Sequence, residues 1–203
     1  MIKKIVILCS LFFLSLAPVM AEKSPEAEAF VMDVSNRVID ILSYTSATEK
    51  ENAFRTLLNE KANLKRIAAF TLGKYRRQLS PTELQEFQSL FETMITKVYA
   101  NRLGTYEDQQ IIVLGSEKKK KDYLVETELR FQDGSDPIAI VWRMRQEKDG
   151  RITLFDLRVL GIWMALEQRE TFLSILKNNN ENFDVLLDNL RQQIATGSTK
   201  TSD

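Results

Sequence analysis

Histidine is absent from the 203-residue chain, and only one cysteine is present. Without an imidazole the chain can form neither a Ser-His-Asp triad nor a Cys-His pair, and it offers no histidine to a metal ion. The 28 basic and 28 acidic residues cancel, which argues against a nucleic-acid-binding protein, because that class needs a basic excess. Seven glycines and four prolines are too few for a fibrous chain, and 44% hydrophobic residues is typical of a globular one. Much of enzyme chemistry is thereby excluded.

A short apolar run near the N-terminus predicts a cleaved secretion signal. Two lysines precede the run at residues 5–16, and small residues follow it up to Ala21. The alternative is a transmembrane anchor, but the run is shorter than the roughly 20 apolar residues that span a bilayer. We therefore expect residues 1–21 to be a signal peptide, which would also remove the one cysteine, Cys9.

Apolar residues at three- and four-residue spacing predict three helices before residue 74. The helices are marked by Phe30, Val34, Val38 and Ile41, then by Phe54, Leu57 and Leu58, and then by Leu64, Ile67, Ala68 and Leu72. A fourth helix has the clearest start in the chain, since Ser80 and Glu83 form a capping box around Pro81.

From residue 109 the apolar period changes to two, which predicts strands. The segments between these strands are short enough for antiparallel hairpins, and helical periodicity returns after Gly161. This order predicts an α+β domain, a four-stranded antiparallel meander covered by helices. The four predicted strands are 111–114, 123–131, 138–145 and 152–159.

Two segments of the chain resemble the signature sequences of a known family. Residues 70–81 (FTLGKYRRQLSP) are similar to the F-x-LG-R-Y-W-R-x-x-(S/T)-P pattern of the MlaC family, also known as toluene-tolerance auxiliary proteins. Residues 149–176 are similar to the family's second pattern, including its DG pair, Asp156, Arg169 and Phe172. The resemblance covers most of the mature chain.

The resemblance implies a periplasmic phospholipid carrier, neither an enzyme nor dependent on a cofactor. Such a carrier would be a monomer that shuttles lipid between an outer-membrane lipoprotein complex and an inner-membrane ABC transporter with an MCE-domain subunit, and so maintains lipid asymmetry. The implied fold is NTF2/cystatin-like, with an apolar lipid cavity between sheet and helices. It would occupy residues 22–195, and the polar tail 196–203 would be disordered.

A lipid carrier needs a deep apolar cavity, because each buried methylene gains about 0.8 kcal/mol. The alternative is that the same residues fill a dry core, since periodicity does not distinguish the two. Thr127 could lie near a head group or simply favour a strand. The expected lining is Phe91, Ile95, Tyr99, Val125, Thr127, Leu129, Ile140, Trp142, Leu157, Ile162, Phe172 and Ile175.

Three charged features have both a functional and a structural interpretation. Lys74, Arg76 and Arg77 could meet a lipid phosphate or an acidic partner, or form a solvated helix end. The run of four lysines at 118–121 could be a solvated hairpin tip or could add about 1 kcal/mol of membrane attraction per lysine. Asp156, inside a strand, needs a partner, and we expect a structural ion pair with Arg158, Arg143 or Arg169.

The chain also departs from the family pattern. Arg76 replaces a tryptophan and Ile152 an aromatic residue. Leu160 replaces an acidic or polar residue, and Trp163 replaces a serine and could narrow a pocket mouth. A hopanoid-linked paralogue and a lipid-free adaptor between the two membranes therefore stay open as alternatives. A lipid acyl hydrolase is disfavoured, because there is no histidine and no acidic residue on the predicted apolar face.

Overall fold

The computed structural model describes residues 23–103 and 109–198, without the side chains of residues 102 and 103. The predicted signal peptide and the end of the predicted polar tail lie outside the described residues. Among those residues, the helices are each too short or too polar to cross a membrane.

The described residues contain six α-helices, in the predicted order. Ser80 and Glu83 form the predicted capping box: the Ser80 N–H donates to Glu83 Oε2 at 2.7 Å, and the Glu83 N–H to Ser80 Oγ at 3.3 Å. The helices are α1 (Pro25–Leu42), α2 (Ala47–Lys61), α3 (Leu64–Thr71), α4 (Pro81–Leu103), α5 (Met164–Asn178) and α6 (Phe183–Thr196), with a 3₁₀ helix at Gly73–Arg77.

In the part of the chain that the structure describes, five strands form one antiparallel meander in sequence order. They are β1 (Gln110–Lys119), β2 (Asp122–Arg130), β3 (Ile138–Gln146), β4 (Ile152–Val159) and β5 (Ile162–Trp163). The prediction of four strands was wrong by one, because two residues are too short to show a period. The predicted end of β1 at Leu114 was also wrong, because pairing with β2 extends the strand through polar residues as far as Lys119.

Strand register assigns the side chains of the sheet to two faces. Val125 pairs with Trp142, and Trp142 pairs with Leu157, so these three share a face. The opposite face carries charged residues such as Glu126 and Arg143. We call the first surface the apolar face; it consists of Ile111, Val113, Tyr123, Val125, Thr127, Leu129, Ile138, Ile140, Trp142, Met144, Ile152, Leu154, Leu157 and Val159.

Most of the buried apolar side chains in the described residues belong to two clusters. In the sheet cluster, the apolar face packs against α1, α2 and the last turns of α4 around Val31, Phe54, Val125, Trp142 and Met144. In the helix cluster, α3, the 3₁₀ helix, α4, α5 and α6 pack around Phe87, Phe91, Phe172, Leu186 and Leu190. Helix α4 contributes to both clusters and thereby joins the two halves of the molecule.

Candidate functional site

The residues predicted to line a single cavity divide between the two clusters. Val125 and Trp142 are buried in the sheet cluster, with Tyr99, Ile140 and Leu157 partly buried at its edge. Phe91 and Phe172 are buried in the helix cluster, with Ile95 and Ile175 at its edge. Leu129 is half-buried, whereas Ile162, in β5, is 51% exposed.

Thr127 is buried at the centre of the apolar face. Its hydroxyl donates to the carbonyl of Ile140 at 3.2 Å and accepts from Trp142 Nε1 at 2.9 Å. The only buried polar group of the tryptophan ring is therefore satisfied inside the sheet. This arrangement favours the packing role for Thr127 over a head-group contact.

Helices α1 and α2 cover the apolar face as a pair. Ion pairs join them at their exposed edges: Arg37 Nη1 lies 2.6 Å from Glu60 Oε2, and Lys61 Nζ lies 2.6 Å from Asp33 Oδ2. A hydrogen bond from the Ser24 N–H to Ser116 Oγ (2.8 Å) ties the start of α1 to β1. The Ser116 hydroxyl also donates to Glu28 Oε1 of α1 at 2.6 Å, and apolar side chains of both helices pack against the sheet cluster.

A cleft of about 300 Å³ opens between this helix pair and the start of β4. Phe30 and Ile152, at its base, belong to the edge and the core of the sheet cluster. Lys61 and Arg151 contribute positive charge to its walls, and Glu26 and Glu60 complete them. We call this opening the mouth cleft, because it leads from solvent to the sheet cluster between charged side chains of both signs.

The electrostatics of the mouth cleft centre on Lys61. Its Nζ lies 5.5 Å from the centre of the Phe30 ring. The hydrogen bond from Lys61 holds the pKa of Asp33 below its ordinary value. The ammonium therefore has one carboxylate partner and an aromatic neighbour, and it remains 27% exposed on its side chain. A second anion can approach it from the solvent.

A larger cleft of about 470 Å³ adjoins the mouth cleft and shares Glu60 and Arg151 with it. Here Glu147 accepts hydrogen bonds from Arg66 Nη2 at 2.5 Å, Asn63 Nδ2 at 3.0 Å and Thr153 Oγ1 at 2.8 Å. Burial alone would raise the pKa of Glu147, but these hydrogen bonds and the Arg66 charge outweigh it and lower that pKa. This second cleft is a polar joint that fixes the start of α3 to the β3–β4 hairpin.

The basic residues predicted to meet a head group lie elsewhere. Lys74, Arg76 and Arg77 are exposed on the 3₁₀ helix, whose Tyr75 is buried in the helix cluster. Lys74 Nζ lies 4.8 Å from the centre of the Tyr75 ring and 3.8 Å from Glu181 Oε1. These three residues therefore belong to the side of the helix cluster and do not line the mouth cleft.

Lys61 and Arg151 were missed by sequence reasoning. Lys61 is the last residue of α2, and Arg151 follows the turn between β3 and β4. Lys61 lies outside both segments that resemble the family patterns and Arg151 lies inside the second, but none of the charged features singled out in the sequence includes either residue. Only the packing of α2 against the start of β4 brings them to one opening, so no local signal could have paired them.

Asp156 supports the start of α5. Its Oδ1 accepts from the N–H groups of Ala165 and Leu157, both at 2.8 Å, so the predicted ion pair with an arginine is replaced by backbone hydrogen bonds. Burial raises the pKa of Asp156, and the two N–H donors and the charge of Arg143 only partly offset it. The described residues contain no group of three or more His, Cys, Asp or Glu side chains that could hold a metal ion.

Comparisons with known proteins agree with this architecture. No curated protein matches the chain. The phospholipid-binding protein from Ralstonia solanacearum, solved in complex with a phospholipid, has a similar fold, with a TM-score of 0.73 and 18% sequence identity; the match covers 84% of this chain and 98% of that one. The family model described as MlaC protein matches residues 32–192. The chain therefore belongs to the MlaC family.

Proposed function

We propose that this protein is a periplasmic phospholipid carrier that shuttles lipid between an outer-membrane lipoprotein complex and an inner-membrane ABC transporter with an MCE-domain subunit. The family match over residues 32–192 carries the proposal. The similar fold of a protein solved with a bound phospholipid supports it. The chemistry is binding without catalysis, because hydrocarbon tails need apolar surface and no reactive group.

The lipid tails would lie in the sheet cluster, between the apolar face and the α1–α2 pair. This region has half-buried apolar residues at its edge, among them Phe30 and Val38 of α1 and Ala53 and Leu58 of α2. The mouth cleft, at about 300 Å³, is at the lower end of the range for ligand pockets. Tails would enter as the helix pair moves away from the sheet, and about 0.8 kcal/mol for each buried methylene would offset the lost packing.

The head group would remain at the mouth cleft. A phosphodiester carries one negative charge, and Lys61 and Arg151 are the cationic side chains that line this opening. Arg151 is exposed, and its Nε lies 2.8 Å from Asp149 Oδ2, so it can exchange this exposed ion pair for a phosphate at little cost. This arrangement binds a charged head group in solvent while the tails stay beneath the helices.

Native mass spectrometry of purified protein tests the proposal with a matched pair of variants. Leu157 and Ile175 are both half-buried, but Leu157 belongs to the sheet cluster and Ile175 to the helix cluster. We expect Leu157→Trp to lower the ratio of phospholipid to protein and Ile175→Trp to leave it unchanged. The proposal fails if the wild type carries no lipid and extracts none from vesicles.

The lipid-free adaptor is the second candidate, and one observation favours it. Val125 and Met144 are fully buried at the centre of the apolar face, as they would be in a permanently dry core. If the protein is an adaptor, the wild type and the Leu157→Trp variant should bind the membrane partners equally well, and neither of them should carry lipid. A carrier would show bound lipid in the wild type and a loss in the variant.

A further inference from the structure

The β1–β2 hairpin ends in the chain's densest group of positive charge. Lys118 and Lys119 are the last residues of β1, and Lys120 and Lys121 form the two-residue turn before β2. All four side chains are exposed. We call these four residues the lysine tip.

The backbone at the lysine tip is unfavourable for the residue that occupies it. Lys120 has a φ of +59°, a conformation that costs an L-residue roughly 1–2 kcal/mol and that two-residue hairpins normally assign to glycine or asparagine. Turn chemistry therefore does not explain a lysine at this position. A backbone outlier of this kind points to a role for the side chain.

The acidic residues beside the lysine tip neutralise only one of its four charges. Glu117 pairs with Lys119 at 2.6 Å. Asp122 instead accepts hydrogen bonds from Arg143 Nε and Arg145 Nε, both at 2.7 Å. The carboxylate closest to the turn, that of Asp122, is therefore already paired with two arginines and does not pair with the lysines of the turn.

Among the described residues, Lys120 and Lys121 form no ion pair. Burial alone would raise the pKa of Asp122, but the bonds from Arg145 and Arg143 outweigh it and lower that pKa, so its paired carboxylate stays ionised at neutral pH. The tip therefore presents uncompensated ammonium groups to the solvent.

From this charge pattern we propose that the lysine tip docks the protein on the surface of an anionic lipid bilayer. Lysine ammonium groups are compact point charges on flexible stems, with none of the fixed fork geometry by which arginine recognises a shaped site. Four of them on a convex turn match a flat surface of diffuse negative charge. The inference goes beyond lipid carriage, since it concerns where the protein touches a membrane.

The position of the lysine tip is suited to this role. Asp122, next to the turn, pairs with Arg145 near the end of β3, and the β3–β4 hairpin that follows reaches Arg151 and Ile152 at the mouth cleft. The tip and the mouth cleft therefore lie at the same end of the sheet. Docking through the tip would bring that end of the protein to the head groups.

Vesicle flotation of the full protein tests the inference. Each lysine near an anionic surface contributes about 1 kcal/mol, which is about a fivefold change in affinity. We expect Lys120→Gln/Lys121→Gln to bind phosphatidylglycerol-containing vesicles about 25-fold more weakly than the wild type. Lys120→Arg/Lys121→Arg should bind as the wild type does, and so should Lys50→Gln/Lys177→Gln, which removes lysines from α2 and α5. Wild-type binding should fall with added salt and be absent on pure phosphatidylcholine.

Four results would overturn the inference. The first is that the wild type does not bind phosphatidylglycerol-containing vesicles. The second is that Lys120→Gln/Lys121→Gln binds them as the wild type does. The third is a Gln variant that binds vesicles normally but self-associates, which would mean that the lysines only protect the edge strand β1. The fourth is that the Gln variant loses binding to an acidic envelope protein while its binding to vesicles is intact.

The amount of bound lipid, measured by mass spectrometry on the same Gln variant, should be unchanged. Failure of docking and failure of lipid carriage are therefore distinguishable.

Discussion

Arg169 of α5 holds Phe70 of α3 by two contacts at once. Its guanidinium carbon lies 5.1 Å from the centre of the Phe70 ring, and its Nη1 donates to the Phe70 carbonyl at 3.4 Å. The Phe70 ring in turn lies edge-on to that of Phe155 in β4, at 5.3 Å. The two segments that resemble the MlaC signatures therefore meet at one joint between the sheet and the helix cluster. The signature residues at this joint have a structural role.

Gly73 completes this joint, and its substitution tests how tightly it is packed. Its φ is +54°, and a Cβ at this position would lie 3.1 Å from Arg169 Nη2 and 3.3 Å from Leu173 Cδ2. We expect Gly73→Ala to lower the free energy of unfolding by about 2 kcal/mol, from backbone strain together with the displaced guanidinium. Urea denaturation at neutral pH measures the loss.

A double-mutant cycle separates the two contributions. In an Arg169→Ala background the cost of Gly73→Ala should fall by about 1 kcal/mol, because contacting residues couple by this order. Gly134 is the control, since it also has a positive φ but no atom within 4 Å of its Cβ position. The cost of Gly134→Ala should be the same with or without Arg169. If Gly73→Ala lowers the free energy of unfolding equally in both backgrounds, the Arg169 side chain moves aside without an energetic cost.

The mouth cleft makes a prediction about charge and lipid affinity. Replacing both cations, as Lys61→Gln/Arg151→Gln, should weaken the binding of an anionic phospholipid by about tenfold, since two solvent-accessible charge-assisted contacts of roughly 0.7 kcal/mol each would be lost. The matched control is Lys74→Gln/Arg77→Gln on the 3₁₀ helix, which should bind as the wild type does. Titration with a fluorescent phospholipid gives both affinities. If Lys74→Gln/Arg77→Gln weakens binding and Lys61→Gln/Arg151→Gln does not, the head group binds at the helix-cluster side instead.

Local sequence signals predicted the helices well because the relevant contacts are local. The capping box of Ser80 and Glu83 involves residues three apart, and the buried side of α1 is visible in the sequence as apolar residues at helical spacing. The sequence did not show that the residues predicted to line one cavity divide between two clusters. Phe91 and Val125 are both apolar at the right spacing, and only the path of α4 between the clusters separates them.

Charged residues were the hardest to interpret from sequence. Asp156 has an arginine two residues away in sequence and another opposite it on β3, yet it accepts hydrogen bonds from the backbone N–H groups of Leu157 and of Ala165 in α5, nine residues later. Asp122 had no visible significance and turned out to join two arginines of β3. Register and helix position decide these partners, and neither follows from residue type.

Asp122 predicts a pH dependence of stability. Because its pKa is lower in the folded protein than its ordinary value of 3.8, its contribution is present above about pH 4 and is lost as pH falls through the folded pKa. We expect Asp122→Asn to cost roughly 1–2 kcal/mol at pH 7, as half-buried charge-assisted hydrogen bonds are weakened. The difference in free energy of unfolding between wild type and variant should shrink below pH 4. A difference that stays constant down to pH 2 would mean that the ion pairs contribute nothing to stability.

The turn between β4 and β5 gives a prediction in the opposite direction, a gain in stability. Leu160 has a φ of +50° and is 72% exposed, and Gly161 follows it at +86°. Two-residue hairpins with positive φ at both positions favour Asn-Gly, because asparagine tolerates this conformation far better than leucine does. We expect Leu160→Asn to raise the free energy of unfolding by about 0.5–1 kcal/mol, measured from the urea midpoint. Leu166→Asn is the control, because it removes an exposed leucine from helical backbone on α5 and should give no gain. If Leu160→Asn also fails to stabilise the protein, the leucine side chain makes a favourable contact that compensates for its backbone strain.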